Sequence, residues 1–459
     1  MVSVSGIRGR VGEALTPEVV GKFAGGFAAW SLARSTSREI VVGRDSRVSG
    51  PMFHRAVIAA LQSVGASVID LEMVPTPTVQ LAVERHHAAG GLAITASHNP
   101  IEWNALKFIG SAGLFLDATE AASMRAFAER GFPRATWDRL GAVRRDDTMV
   151  QWHIDRILAL TVIDAESIRR RAFTVALDTC HGAGAVIMNA LLSALGCKVE
   201  GINVAADGLF HRPPEPVAEN LGELSDLVRR TGADIGLATD PDVDRLALVD
   251  DTGRAIGEDY TLALACRVVL SRHRGAVVAN LSTSRIVDDM AAEFGSTVVR
   301  APVGEVNVAV RMRELGAVVG GEGNGGVILP ELHLGRDAPL AAALLLQLLA
   351  DGGPGAGGSL SGIVARFPQY RIVKDKLERP AGGGSLDAVY ESLRAAFPDG
   401  EADMQDGLRL SWPDRWVHIR PSGTEPIIRV IAEAPTEGEA RALVARCRAP
   451  LDSVVSRNI

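Results

Sequence analysis

Cysteine is scarce in this chain and carries no pattern. The 459 residues include four, Cys180, Cys197, Cys266 and Cys447, none in a C-x-x-C pair. That excludes a thioredoxin-like redox motif and the usual zinc spacings, and it leaves buried, reduced thiols in a cytoplasmic protein as the expectation. Aromatic residues make up only 5%, and the net charge is a mild -7. There is no basic footprint of the kind that nucleic-acid binding leaves, although a local cluster of arginines on an acidic protein can still hold an anion. The first residues, Met1-Val2-Ser3-Val4-Ser5-Gly6, lack the charged flank and apolar core of a signal peptide. The most apolar run, residues 339–350, is too short to cross a bilayer and reads as a buried helix. No nucleic acid and no membrane are expected as partners.

What the chain does have is size and a repeated plan. A hydrophobic content of 47% with 22% charge is that of a globular protein, and 459 residues exceed a single core. Residues 39–43 read as a strand, 52–64 as a helix and 65–69 as a strand entered through a glycine. The pattern returns at 173–177, 185–195 and 196–199, and again at 276–279, 284–294 and 295–299. Each glycine lies just past a helix end, where a left-handed cap costs glycine least, and each second strand is rich in β-branched residues. Such units require right-handed crossovers and mostly parallel pairing. Any α/β protein repeats them, so the repeat bears on fold class more than on domain count.

Beyond the glycine-rich stretches at 352–358 and 379–384, the pattern changes. Short strands at 407–411, 416–420 and 427–433, with helices at 385–397 and 437–448, predict a smaller antiparallel α+β unit. The expected organisation is three similar α/β domains with mixed sheets (1–149, 150–253 and 254–366) and a C-terminal α+β domain (367–459).

Four segments carry candidate chemistry. In Thr95-Ala96-Ser97-His98-Asn99-Pro100 a serine follows the apolar strand 91–94, at the point where a sheet hands over to a loop. If the segment stays extended, His98 points away from Ser97. Alone, a serine and asparagine in a turn need not do anything. Asp240-Pro241-Asp242-Val243-Asp244-Arg245 is more specific. In an extended segment its alternate carboxylates share a face, and three close carboxylates repel unless a cation lies among them. Oxygen-only ligands suit Mg²⁺ or another hard ion, and Arg245 supplies a guanidinium for phosphate. Apolar flanks on both sides argue against a solvated acidic turn. The run from Gly320 to Gly326 offers Glu322 and Asn324 among glycines, suited to sugar hydroxyls. Arg420-Pro421-Ser422-Gly423-Thr424-Glu425-Pro426, between two strands, gathers a guanidinium, two hydroxyls and backbone N–H groups into a candidate phosphate nest.

In this order and spacing, the four segments resemble the α-D-phosphohexomutase superfamily along essentially the whole chain, from Ser5-Gly6-Ile7-Arg8-Gly9 to the Arg420 loop. The resemblance implies four domains around a central cleft and reversible transfer between hexose or hexosamine 6- and 1-phosphates through a sugar bisphosphate. It implies Ser97 as the phosphoserine, with Asp240, Asp242, Asp244 and the seryl phosphate holding one Mg²⁺ per chain. Arg8, Lys107 and Arg245 match positions that stabilise the transferring phosphoryl group, and His98 joins them as a catalytic candidate. Glu322 and Asn324 match the sugar loop; Arg420, Ser422, Gly423 and Thr424 match the loop for the non-reacting phosphate. The chain departs from the pattern where glucose- and mannose-phosphate enzymes often carry histidines: Gly326 and Glu305 stand there, leaving Lys107 and Glu305 as candidates for the general acid/base. The segments at 103–107 and 335–339 look like the phosphoglucosamine mutase branch, with phosphomannomutase and phosphoglucomutase as alternatives. A monomer or homodimer is expected.

Two other classes compete. A Mg²⁺-dependent aspartyl phosphatase would use Asp240 in a D-x-D-x-V nucleophile pattern, leaving Ser97 and the Arg420 loop without a role. A non-catalytic sugar-phosphate sensor on the same fold would account for the missing histidines.

Overall fold

In a computed structural model, which describes residues 2–3, 6–352, 358–378, 385–422 and 427–456, three mixed sheets share one local design. In the first, Glu39–Arg44 lies between Ser67–Met73 and Gly90–Ile94, parallel to both, and Gly90–Ile94 then pairs antiparallel with Trp103–Gly110. In the second, Thr174–Asp178 is parallel to Lys198–Ile202 and to Ile235–Thr239, and the last of these turns into antiparallel Leu246–Val249. In the third, Val277–Asn280 is parallel to Val298–Ala301 and Val319–Glu322, and Val319–Glu322 turns into antiparallel Gly326–Ile328. Each sheet therefore has one parallel strand whose C-terminal end leads through a loop into an antiparallel neighbour. Those three loops hold Ser97, the aspartate run and the Glu322–Gly325 stretch. The ends of parallel strands are where open α/β sheets place their ligands.

The expected repeat is present. Gly65, Gly196 and Gly295 follow the helices Gly50–Gln62, Gly184–Ala194 and Ile286–Ala292 with φ of +81°, +71° and +65°, the left-handed conformation that ends a helix cheaply. The antiparallel partner Gly326–Ile328 escapes sequence reading because three residues, the first a glycine, carry no period to detect. The C-terminal unit is a wholly antiparallel sheet in the order Arg371–Glu378, Ile427–Ala434, Trp416–Pro421, Leu408–Ser411, Glu401–Asp403.

Packing divides the chain unequally. One apolar cluster runs from Val41 through Leu177 to Phe367, across all three mixed-sheet units. Its centre is Ala338–Asp351, the helix expected from the apolar run, with every residue from Ala338 to Leu349 buried. Burial on all faces explains why this helix lacks an amphipathic pattern. The C-terminal unit has a separate cluster, from Leu377 to Leu451. Polar contacts link it to the third unit: Glu433 Oε1 accepts from the Arg285 amide at 2.9 Å, and Asp406 Oδ2 from the Val303 amide at 3.1 Å. No helix among the described residues is long and apolar enough to cross a membrane.

Candidate active site

The serine loop does not stay extended. Ser97 takes φ of +49°, and the turn brings His98 Nδ1 to 3.3 Å from Ser97 Oγ, so the expectation that His98 points away is corrected. The turn is held from beneath by Arg47, which is fully buried. Its guanidinium donates to the carbonyls of Ser97 (2.6 Å), Asn99 (2.7 Å), Pro100 (2.7 Å) and Trp103 (3.0 Å), and its Nε to Asp45 (3.1 Å). Sequence reading missed Arg47. The available signal was Asp45-Ser46-Arg47 at the C-terminal end of a buried strand, a poor place for charge without a purpose.

The aspartate run is also a turn. Val243, a β-branched residue, sits at φ of +65°, a strained conformation fixed by Val243 N donating to Asp240 O (3.2 Å) and Ala338 N to Val243 O (3.2 Å). The three carboxylates converge nonetheless, with one oxygen of each within 4.8 Å of the others, and all three residues are buried. Ser97 Oγ donates to Asp240 Oδ2 at 2.8 Å, joining the loops of the first and second sheets. Lys107 Nζ, from the strand beside the serine loop, donates to Asp242 Oδ2 (2.7 Å) and Asp244 Oδ2 (3.4 Å), and Thr76 Oγ1 donates to Asp242 Oδ2 (2.7 Å).

Asp242 Oδ1 and Asp244 Oδ1 are buried and accept no hydrogen bond among the described residues; Arg245 Nε comes only to 3.8 Å of the latter. Two buried acceptors without donors, in an all-oxygen set, are what a hard divalent cation satisfies. The charges agree. Burial and the neighbouring Asp244 and Asp242 carboxylates push Asp240 well above the usual carboxylate range. Burial opposes charge on Asp242 and Asp244 too, but Lys107 beside the first and Arg336 beside the second hold both below that range. Burial opposes charge on Lys107, but Asp242 and Asp244 outweigh it and raise its pKa.

Cations gather on the other side of Ser97. Arg8 Nη1 donates to Asn99 Oδ1 at 2.6 Å, and Arg245 Nη1 lies 3.3 Å from Glu215 Oε1. Arg245, burial and Arg8 together hold the His98 imidazole well below its ordinary range, so it is neutral. Burial lowers Arg8 as well, with Arg245 adding repulsion. Guanidinium groups crowded beside a neutral histidine form a cradle for an anion.

At the sugar loop the structure is less open than expected. Glu322 Oε1 accepts from Asn280 Nδ2 (2.7 Å) and Gly304 N (3.0 Å), and Glu322 Oε2 accepts from Arg336 Nη1 (2.7 Å). Half-buried Asn324 turns its Oδ1 to Gly326 N at 3.3 Å. Glu305 lies alongside, accepting from Gln80 Nε2 (3.1 Å) and Arg336 Nε (3.0 Å). Arg420, next to last in the strand Trp416–Pro421, has its Nε 2.8 Å from Asp406 Oδ2, and Ser422 N donates to Ile427 O at 2.8 Å. Gly423 and Thr424 lie outside the described residues. Polar contacts thus run from Ser97 through the aspartates, Arg336, Glu322 and the segment Val303-Gly304 to Asp406 and Arg420, touching all four units.

The sequence matches all four domain signatures of phosphoglucomutase/phosphomannomutase: alpha/beta/alpha domains I (residues 2–133), II (151–253) and III (257–370), and the C-terminal domain (373–449). The chain belongs to that family. It is an α-D-phosphohexomutase, an isomerase. A probable phosphoglucosamine mutase from Methanopyrus kandleri is 39% identical over 443 residues, covering 96% of this chain and 95% of that protein. A phosphoglucomutase/phosphomannomutase from Thermococcus kodakarensis is also 39% identical over 443 residues, covering 95% of each. Among solved structures, a family member from Burkholderia thailandensis superposes with a TM-score of 0.83 at 26% identity, over 99% of this chain and 97% of that one.

Proposed function

We propose that this phosphohexomutase interconverts hexosamine 6-phosphate and hexosamine 1-phosphate, as a phosphoglucosamine mutase, with Ser97 as the phosphate carrier. The observation that carries the reading is the 2.8 Å hydrogen bond from Ser97 Oγ to Asp240, beside two buried aspartate oxygens that lack donors among the described residues. A bound Mg²⁺ would be held by Asp240, Asp242 and Asp244 and would neutralise charge on the transferring phosphoryl group. Arg8 and Arg245 orient the phosphoryl oxygens. Lys107, kept charged by its aspartates, is a poor proton acceptor, and Glu305, whose pKa burial raises, takes the proton from the sugar hydroxyl as that oxygen attacks phosphorus. The phosphorus–Oγ bond then breaks, and Ser97 Oγ leaves with the electron pair. The resulting sugar bisphosphate returns its other phosphate to Ser97 after turning over.

Arg420, with Ser422, Gly423 and Thr424, holds whichever phosphate is not reacting. The polar linkage of the C-terminal unit, in contrast to the continuous apolar core of the other three, suits closure over a bisphosphate. The hexosamine assignment draws on the relative from M. kandleri and on two carboxylates, Glu305 and Glu322, able to meet a 2-ammonium group. The test is incubation with glucosamine 1,6-bisphosphate and Mg²⁺, mapping of the transferred phosphate, and comparison of kcat/KM on glucosamine, mannose and glucose 6-phosphates. Phosphate on Ser97 with the highest kcat/KM for glucosamine 6-phosphate is the expected result. An adduct on Asp240 would replace the mutase by an aspartyl phosphatase, and no turnover at all would favour a sensor.

A further inference from the structure

Gly326 poses a question that its own backbone does not answer. Its φ lies outside the left-handed region, so the main chain there does not require glycine. What a side chain would meet is Arg336: a Cβ on residue 326 would fall 2.2 Å from Arg336 Cδ, 2.9 Å from Cγ and 3.2 Å from Nε. The space a residue 326 side chain would use is taken by the stem of an arginine ten positions on. That arginine is buried and makes three charged contacts: Nη2 to Asp244 Oδ2 (2.6 Å), Nη1 to Glu322 Oε2 (2.7 Å) and Nε to Glu305 Oε2 (3.0 Å).

The backbone that presents Arg336 is fixed. Asp337 N donates to Val327 O (3.0 Å), and Asp337 Oδ1 caps the buried helix by accepting from Leu340 N (2.8 Å). Its Oδ2 accepts from His153 Nε2 (2.7 Å) and lies 3.0 Å from His333 Nε2. The carboxylates that Arg336 meets are held on their other oxygens by Asn280, Gly304 and Gln80. Both Glu322 and Glu305 are thus clamped from two sides, one side always being Arg336. Its single positive charge also offsets part of the negative charge those two would otherwise present.

We propose that Arg336 is the positioning residue that sets sugar selectivity: it fixes Glu322 and Glu305 and tempers their charge, and residue 326 is glycine to admit its side chain. This rests on the reading of Glu322 as a sugar-recognition residue. Removing the guanidinium leaves two buried carboxylates with less compensation, a change that favours a 2-ammonium sugar over a 2-hydroxyl one. The consequence is a change in preference rather than a uniform loss.

The experiment is calorimetric titration of the full-length protein at saturating Mg²⁺ with glucosamine 6-phosphate and with glucose 6-phosphate. Binding keeps the result independent of whether Ser97 turns over, which phosphate mapping decides separately. In Arg336→Gln the ratio of the two Kd values is expected to move toward glucosamine 6-phosphate by about tenfold, close to one pKa unit of differential charge interaction. Any damage passed through Asp244 to the metal loop affects both sugars and cancels in the ratio. Gly326→Ala, which displaces the stem without removing the charge, is expected to move the ratio in the same direction by less. Adding Gly326→Ala to Arg336→Ala, which lacks the Cγ and Cδ that a residue 326 Cβ would meet, is expected to change nothing beyond Arg336→Ala alone. Arg336→Lys keeps the charge but cannot span three acids, and is expected to fall between wild type and Arg336→Gln. An equal loss for both sugars, an unchanged ratio in Gly326→Ala, or additive effects in the double variant would overturn the proposal. So would a wild-type protein that binds neither sugar.

Discussion

The serine loop and the sugar loop leave their sheets in the same way, yet they reach opposite electrostatic states. Each follows the C-terminal end of a parallel strand and returns as an antiparallel neighbour. Around Ser97, two aspartate oxygens are buried without donors among the described residues, so the region suits a cation that those residues do not themselves supply. Around Glu322, the Glu322 and Glu305 oxygens have donors, and a buried arginine joins three acids into one network. One end holds charge in reserve and the other has spent it. The same strand–loop–strand plan therefore leaves acceptors open beside Ser97 and satisfies them around Glu322 and Glu305.

The largest effect should come from the open end. Ser97→Ala removes the proposed carrier and is expected to bring turnover below about one part in ten thousand, while sugar-phosphate binding by calorimetry stays within a few-fold. Retained turnover would transfer the carrier role elsewhere. Asp242→Asn loses an open acceptor and the partner of Lys107, and a fall in kcat of about 10²- to 10³-fold is expected. Chelation of divalent cations should give a comparable loss, reversed by Mg²⁺ in the wild type and not in the variant.

Arg420→Ala sharpens the contrast from a third place, the proposed holding site for the phosphate that does not react. A rise in KM of about tenfold with a smaller change in kcat is expected, and a fall confined to kcat would contradict a holding role.

The smallest effect lies at the joint between the third and C-terminal units. His418 is fully buried, with Nδ1 2.8 Å from Ser282 Oγ and Nε2 2.7 Å from Asp406 O. Burial pushes it down to about 4; Asp406 works against that shift, and Arg420 and Arg409 work with it. The folded protein therefore keeps His418 neutral where the unfolded chain, near 6.5, takes up a proton. Stability should decline as pH falls from about 6.5 toward 4, and His418→Gln should flatten that slope in urea titrations at pH 7 and 5. Parallel slopes would place the titration elsewhere.

Much of the fold was legible because the repeats obey local rules. Gly65, Gly196 and Gly295 mark three helix ends from sequence alone, and the apolar run announces the central helix. The open end of the site was legible for a similar reason: Ser97 and the three aspartates are neighbours in sequence within their own loops. Two features were not. Both loops make left-handed turns, at Ser97 and Val243, that depend on Arg47 and Ala338 far along the chain. Arg336 stayed hidden because its partners Asp244, Glu305 and Glu322 are 92, 31 and 14 residues away and belong to three different elements. A closed network is assembled by the tertiary fold, and no local spacing reports it.

The φ of +49° at Ser97 has a consequence for which residues can occupy that place. Threonine carries the same hydroxyl, and as the proposed carrier phosphothreonine would serve as well as phosphoserine on chemical grounds. A β-branched side chain is disfavoured at positive φ, however, and the extra methyl would enter a loop where Ser97 is only 3% exposed. Backbone handedness, not reactivity, therefore narrows the choice between the two alcohols to the unbranched one.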